Sequence, residues 1–208
     1  MVALFIPVYE RPHYLRQTLD SVIHAIDEDV TVFLIDDGSK DPVIEQMCNK
    51  FFDNAQCHGF YYRFPHAGVA MNMKRGMELC KKFETIITLD SDFEVKNHFI
   101  KSLSDLLKAH YTIDTIVTGF NAHTHPIKAR GDGYAVKESI GGGNLCFTSE
   151  TYEKHIKPIL TNNLWDWNLC GVMKQAGGRF LCTIPSVVQH IGVKSTLDHP
   201  NADVAIDY

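Results

Sequence analysis

The feature that most constrains the fold is the stretch of residues 85–94, where an apolar run ends in two acids. Ile86, Ile87 and Leu89 lead directly into Asp90 and Asp92. Continuous apolar runs are typical of buried strands in parallel sheets. Open α/β sheets bind ligands just beyond the carboxyl ends of such strands. An Asp-x-Asp at that point suits a hard cation and a ligand hydroxyl, although a turn in which both acids cap the next segment is the alternative.

The first half of the chain alternates apolar runs with amphipathic segments. Predicted strands cover residues 2–6, 30–35, 60–64 and 86–89, and a helix pattern follows each of them. Asp41 before Pro42 predicts a helix start, and Asn97 is predicted to cap a later helix. This alternation predicts an α/β fold, a three-layer domain with a mostly parallel central sheet and right-handed crossovers.

The second half loses that rhythm. Strands are predicted at residues 115–118, 144–147, 180–184 and 187–190, a helix near Leu164, and a polar loop over residues 121–133. The tail from Gly192 has little apolar content and is predicted to be mobile. We predict one domain over residues 1–208, with a nucleotide-binding half (1–110) and an acceptor and catalytic half (111–208). This domain could belong to a longer polypeptide.

The composition excludes several classes of function. A net charge of -5 leaves no basic face for nucleic acid, and no apolar run reaches the ~20 residues of a membrane span. The six cysteines form no Cys-x-x-Cys pair, which predicts reduced core residues in a cytoplasmic protein. Eleven histidines leave a metal-binding role open for one or two of them.

Acidic residues follow two predicted strands of the same sheet. Asp36 and Asp37 follow the second strand, and Asp90 and Asp92 could face the same crevice. A carboxylate there could accept a hydrogen bond from a uracil N–H or a ribose hydroxyl, and Tyr9 could stack on the base. The glycine-rich phosphate motifs of dinucleotide-binding and P-loop proteins are absent, which argues against those two classes.

Taken together, the motifs resemble those of the GT-A fold, nucleotide-sugar-dependent glycosyltransferases, most closely the family 2 type. The matching segments occur in the family's order along nearly the whole chain: residues 6–9 (IPVY), 35–39 (IDDGS), 68–72 (GVAMN), 89–92 (LDSD), 141–144 (GGGN), 165–169 (WDWNL) and 185–190 (PSVVQH).

The resemblance implies roles for individual residues. Those that would contact the nucleotide are Pro7, Val8, Tyr9, Arg11, Asp36, Asp37, Arg63, Asn72, Lys74, Asp90 and Ser91. Asp92 would bind Mn²⁺ or Mg²⁺, with His190 and Asp90 as further ligands. Donor sugar or acceptor would meet Gly141, Gly142, Gly143, Trp165 and Trp167. Asp166 matches the general base of inverting members.

The implied activity is metal-dependent, inverting transfer of one sugar from a nucleotide-sugar, with UDP-sugar favoured, to a hydroxyl of a carbohydrate or glycoconjugate acceptor. The Gln-x-x-Arg-Trp signature of processive synthases is absent, which favours single transfer. Trp165 stands where many members have an acidic residue, which suggests an aromatic acceptor platform. The alternatives are a nucleotide-sugar-binding module without transfer, a sugar nucleotidyltransferase, and a phosphatase or phosphotransferase with Asp90 as nucleophile.

Overall fold

The structure is a computed structural model that describes residues 1–26, 29–55, 57–193 and 203–208. Within these residues the strands are β1 Val2–Val8, β2 Val30–Asp36, β3 His58–Arg63, β4 Thr85–Leu89, β5 Phe93–Val95, β6 Thr115–Thr118, β7 Ile127–Arg130, β8 Tyr134–Lys137, β9 Asn144–Thr148, β10 Arg179–Thr183 and β11 Val188–His190. The helices are α1 Pro12–Val22, α2 Pro42–Asn54, α3 Val69–Cys80, α4 Phe99–Ala109, α5 Ser149–Thr151 and α6 Trp165–Gln175. A π-helical turn, Tyr152–Ile156, and a 3₁₀ turn, Lys157–Ile159, continue α5.

A central sheet joins nine of these strands in the order β3-β2-β1-β4-β9-β6-β10-β8-β7. The strand pairings make seven of the nine run in one direction, and only β9 and β8 oppose them. The remaining two, β5 and β11, form a small antiparallel pair. The α/β prediction with a mostly parallel sheet is confirmed.

Helices cover both faces of this sheet. One core cluster packs the buried side chains of α1, α2 and α4 against β1, β2 and β4. A second cluster packs α3, α6 and the turns after α5 against the opposite face. The sheet therefore has two apolar faces, as its continuous apolar strands require, and the three-layer prediction is confirmed.

Of the two predicted helix N-caps, one is present in the structure and the other is not. The side chain of Asp41 accepts a hydrogen bond from the Val43 N–H at 3.0 Å, with Pro42 in the first turn of α2. The predicted cap at Asn97 is wrong, because α4 begins one residue later and has His98 at its N-cap without a side-chain hydrogen bond.

The second half is richer in strands than predicted. β7 and β8 form a hairpin within and after the predicted polar loop, and β5 follows the Asp-x-Asp turn. Exposed residues dominate β7, so its sequence lacks the apolar run that marks a strand. Within the predicted mobile tail, residues 194–202 lie outside the described part of the chain. Residues 203–208, by contrast, pack against the protein, so that part of the prediction is wrong.

All six cysteines are free, as predicted. In the described ranges, no helix is both long enough and apolar enough to cross a membrane. The cytoplasmic location and the division into two functional halves stay predictions.

Candidate active site

A cavity of about 470 Å³ opens at the carboxyl ends of β1, β2 and β4. The sheet order places β1 between the other two, so the segments that follow these three strands meet at one edge. Predicted site residues that line the cavity are Pro7, Val8, Tyr9, Arg11, Asp37, Asn72, Asp90, Ser91, Asp92 and His190. His66, Gly68, Val69 and Asn163 also line it and were not predicted.

Asp36 does not line this cavity. Its buried carboxylate accepts hydrogen bonds from the backbone N–H and the hydroxyl of Ser39, at 2.9 and 2.7 Å, and from the Tyr61 hydroxyl at 2.9 Å. Burial, followed by the hydrogen bond to Asp36, raises the pKa of Tyr61 and keeps that hydroxyl a donor. These contacts favour a role for Asp36 in fixing the turn after β2 over the predicted nucleotide contact.

Asp37 lies in the cavity wall but is already well supplied with donors. Its side chain is buried and accepts from the N–H groups of Ala67 and Gly68 at 2.9 and 2.8 Å. Arg75 donates to it at 3.2 Å, and His66 Nδ1 lies 2.8 Å from its other oxygen. Asp37 therefore holds the loop before α3 in place.

Tyr9 and His66 form an aromatic pair in the cavity lining. The rings of Tyr9 and His66 stack with 4.6 Å between centroids and 18° between planes. The imidazole of His66 is more than half exposed, and its Nδ1 faces Asp37. The two rings mark a place where a planar base could stack.

Three further predicted nucleotide residues differ in position. Asn72 is buried at the cavity and donates to the Ile35 carbonyl at 2.9 Å, while its Oδ1 has no partner within the described residues. Lys74 is exposed on α3 and does not line the cavity, whereas its neighbour Arg75 reaches Asp37. Arg63 donates to the Ser39 carbonyl and also does not line the cavity. Arg63 and Lys74 therefore lack the predicted position.

Asp90 differs from the other acids of the site in its lack of hydrogen-bond donors among the described residues. Its backbone N–H donates to the Gly143 carbonyl at 2.8 Å, and no hydrogen bond to its carboxylate is found among the described residues. Desolvation, with a further contribution from the charge of Asp92, raises the pKa of Asp90 to about 8, although Arg11 and His190 oppose the shift. The charge of Asp166 also raises it, so α6 acts electrostatically on this end of β4.

Asp92 is held by two basic side chains. Arg11 donates to its Oδ2 at 2.8 Å, and His190 Nε2 lies 3.3 Å from the same oxygen. Burial alone would raise the pKa of Asp92, but the His190 hydrogen bond and the charge of Arg11 lower it. Glu10 and Arg11 both adopt left-handed backbone conformations, with φ of 51° and 55°, and this bend presents Arg11 to Asp92.

The donor set at Asp92 fits a hard divalent cation that shares its coordination with a phosphate ligand. No cluster of three or more His, Cys, Asp or Glu side chains arranged for a metal occurs in the described ranges. Mg²⁺-type sites usually have one or two protein carboxylates and take the remaining oxygens from substrate and water. His190 Nδ1 lies 3.1 Å from the Asp203 carbonyl, which leaves Nε2 facing Asp92 in the way that metal-binding imidazoles are commonly oriented.

The predicted glycine run connects this centre to α6. A Cβ on Gly142 would lie 2.7 Å from the Trp165 ring and 3.2 Å from Asp166 Cβ, so only glycine fits between them. A Cβ on Gly143 would meet the Phe93 ring at 2.7 Å and Asp90 Oδ2 at 3.4 Å. Gly141 lies beside His125. The run therefore packs as a tight wall between the acids of β4 and the first turn of α6.

The two tryptophans divide between core and surface. Trp165 is 4% exposed and belongs to the second core cluster, whereas Trp167 is 63% exposed. Asp166 lies between them in the first turn of α6 and accepts from the Trp167 N–H at 2.8 Å. Trp165 packs in the core and Trp167 meets solvent, and neither ring lines the cavity.

The protein has a mostly parallel sheet with helices on both faces, and acidic residues at the strand ends line one cavity. These features are typical of GT-A fold glycosyltransferase domains. The chain also matches the profile of glycosyl transferase family 2 over residues 3–170, and it therefore belongs to that family. The matched region includes the glycine run and Asp166 but ends before His190.

Two other comparisons give one structural neighbour and one sequence relative. The structure is similar to the crystal structure of GalNAc-T7 with UDP, GalNAc and Mn²⁺, with a TM-score of 0.71 and a sequence identity of 15%. The similarity covers 92% of this chain and 44% of that one. A sequence relative, the aspartate carbamoyltransferase catalytic subunit of Cytophaga hutchinsonii, is 24% identical over 64% of this chain and 43% of its own length. The chain thus spans less than half the length of either relative, and the name of each describes that protein alone.

Proposed function

We propose that this chain transfers a single sugar from a UDP-sugar to a hydroxyl of a carbohydrate or glycoconjugate acceptor, with inversion and with Mn²⁺ or Mg²⁺. The observation that carries the proposal is the cavity where Tyr9, Asp37, Asp90, Asp92 and His190 converge. Its volume of about 470 Å³ lies within the ordinary range of ligand pockets. A structural neighbour that binds UDP and Mn²⁺ on the same fold supports the choice of ligands.

The nucleotide end of the donor is assigned to the β1 and β2 side. Tyr9 offers one face to the uracil once His66 turns away, and the ring of His66 can close over the base. Asp37 keeps the backbone of Ala67 and Gly68 at the cavity wall. The unpartnered Oδ1 of Asn72 is an additional acceptor beside it.

The diphosphate end is assigned to the β4 side, where Arg11, Asp92 and His190 lie together. Asp92 and His190 would hold a cation, which would supply Lewis-acid neutralisation of the nucleoside diphosphate that leaves. Arg11 then exchanges its contact with the Asp92 carboxylate for a phosphate oxygen, and its guanidinium holds the leaving group in position.

The acceptor side is assigned to α6 and the glycine run. Asp166 removes the proton of the acceptor hydroxyl as that oxygen attacks the anomeric carbon, a contribution typically worth about 10²–10⁴-fold. Asp166 does not line the cavity, but its place next to Gly142 and the contribution of its charge to the pKa of Asp90 support this role. Trp167 offers an exposed ring on which an acceptor sugar can stack.

The test is sugar transfer by the wild type and by Asp166→Asn, with Asp132→Asn as a control in an exposed turn. We expect UDP-sugar to bind all three proteins equally, and transfer to fall at least about 100-fold in Asp166→Asn alone. Unchanged transfer in Asp166→Asn would refute its role as base. Phosphate release or pyrophosphate exchange without sugar transfer would favour the phosphatase or nucleotidyltransferase alternatives.

A further inference from the structure

The last described residues, 203–208, fold back onto the strand that carries His190. Ala205 forms an antiparallel bridge with Ala122, and the Ile206 N–H donates to the Asn121 carbonyl at 3.2 Å. The Ala205 N–H also donates to Gln189 Oε1 at 2.7 Å, directly on β11. We call residues 203–208 the C-terminal latch, since they join the loop after β6 to β11.

Asp207 is the anchor of the latch. One carboxylate oxygen accepts from the backbone N–H of Ser186 at 3.2 Å and from the Ser186 hydroxyl, and the other accepts from Asn121 Nδ2 at 3.1 Å. Ser186 and Asn121 are almost wholly buried. Hydrogen bonds to an ionised carboxylate are about twice as strong as neutral ones, so Asp207 is a strong attachment point for the latch.

The buried ammonium group of Lys137 gives a second reason for an acidic residue at position 207. Lys137 is buried and donates to Asn121 Oδ1 at 2.7 Å and to the Ala122 carbonyl at 3.1 Å. A buried cation needs compensating charge, and Asp207 reaches Asn121 from its other side. Latch and Lys137 thus share Asn121 as a common support.

At its other end the latch touches His190. The Asp203 carbonyl lies 3.1 Å from His190 Nδ1, and the Asp203 carboxylate accepts from the Thr124 hydroxyl at 2.7 Å. A carbonyl oxygen can only accept, so Nδ1 carries a proton that it donates to Asp203. Nε2 is the nitrogen that faces Asp92, and it donates to that carboxylate when the imidazole carries its second proton. Partners of this kind orient metal-binding imidazoles in other proteins.

We propose that the C-terminal latch orients His190 towards the cation and diphosphate. Asp207 is the positioning residue, because it anchors the latch. The proposal rests on the proposed function for the identity of that ligand. It makes residues beyond the matched family region part of the site's architecture. If the latch merely covered the surface, removing its anchor would lower stability and leave the orientation of His190 unchanged.

The experiment measures two properties of the full chain carrying Asp207→Ala. The first is the Mn²⁺ affinity in the presence of UDP, followed by the electron paramagnetic resonance signal of free Mn²⁺. The second is the NMR signal of the His190 Nδ1–H in metal-free protein. We expect Mn²⁺ binding to weaken about 10–100-fold, the usual cost of losing a partner that orients a ligand, and the Nδ1–H to lose its protection from exchange.

Two further variants make the result specific. Thr124→Val removes only the hydroxyl that holds Asp203, so it should shift both readouts in the same direction by a smaller amount, and it remains informative if Asp207→Ala fails to fold. Ile206→Ala changes an exposed latch side chain but keeps the backbone bond, and should leave both readouts unchanged.

The outcomes separate the latch from the proposed function. Wild-type Mn²⁺ affinity and a protected Nδ1–H in both Asp207→Ala and Thr124→Val would overturn the latch, even if the wild type binds Mn²⁺ and UDP. A wild type that binds no Mn²⁺ with UDP would contradict the proposed function, and with it the cation role of the latch, whatever the NMR signal shows.

Discussion

The acidic residues at the ends of β2 and β4 look alike in the sequence but have different surroundings. After β2, Asp36 and Asp37 accept hydrogen bonds from backbone N–H groups, a serine hydroxyl and a tyrosine. After β4, the described residues give the Asp92 carboxylate only the side chains of Arg11 and His190 as partners, and none of them donates to the Asp90 carboxylate.

This difference separates acids that build the cavity from acids that are available to a ligand. Backbone donors cannot leave a buried carboxylate without unfolding the loop that carries them. The Arg11 guanidinium, by contrast, can be exchanged for a metal ion, since its side chain turns about its own χ angles. At the β4 end, burial and the charge of Asp92 raise the pKa of Asp90 to about 8.

The largest effect is expected from Asp92→Asn. This variant loses the charge that would hold a cation, so Mn²⁺-dependent UDP binding should fall by at least about 100-fold, in line with the several kcal/mol that a catalytic metal supplies. Calorimetric titration with UDP and Mn²⁺ measures it. Binding within a few fold of the wild type would place the cation elsewhere and remove the distinction between the two strand ends.

A smaller effect, on stability, is expected from Asp37→Asn. The amide would present a donor to the N–H groups of Ala67 or Gly68, so the free energy of unfolding should fall by about 2–3 kcal/mol. Urea unfolding measures this change, with Asp132→Asn as the exposed control. Stability within about 0.5 kcal/mol of the wild type would show that Asp37 is not a structural acid.

Asp90→Asn should act in the opposite direction, and with a dependence on pH. Because the folded pKa of Asp90 lies above its unfolded value, the folded state holds the extra proton, and this acid destabilises the protein as pH rises from about 4 to 8. Unfolding with EDTA present should therefore show Asp90→Asn more stable than wild type at pH 8, and less different at pH 5. An equal difference at both pH values would contradict the raised pKa.

Much of the fold follows from local sequence, because the strands that build the cavity are continuous apolar runs. β1, β2 and β4 and the helices between them are of this kind. The β7–β8 hairpin could not be predicted in this way, since β7 is mostly exposed and is defined by pairing across the sheet edge. The latch was missed for a related reason, because polar contacts to distant residues hold it in place.

The sequence predicts which strand ends lie at the cavity, but it does not predict the direction in which each side chain points. Strand ends located Tyr9, Asp37 and Asp92 at one cavity, because the carboxyl ends of neighbouring parallel strands share an edge. Orientation depends on tertiary contacts, so the sequence could not distinguish Lys74 from Arg75 on α3. His66 follows a proline in an ordinary turn motif, and only its stacking on Tyr9 singles it out.

The most direct test of the central claim is the thermal unfolding of the wild type with UDP, GDP, dTDP and ADP, each with and without Mn²⁺. A ligand that binds the folded state raises the melting temperature according to its concentration and affinity. We predict that UDP with Mn²⁺ gives the largest rise, and that this rise disappears in Asp92→Asn but persists in Asp132→Asn. No shift with any nucleotide, or an equal shift in Asp92→Asn, would contradict the assignment of the β4 acids to a cation and nucleoside diphosphate.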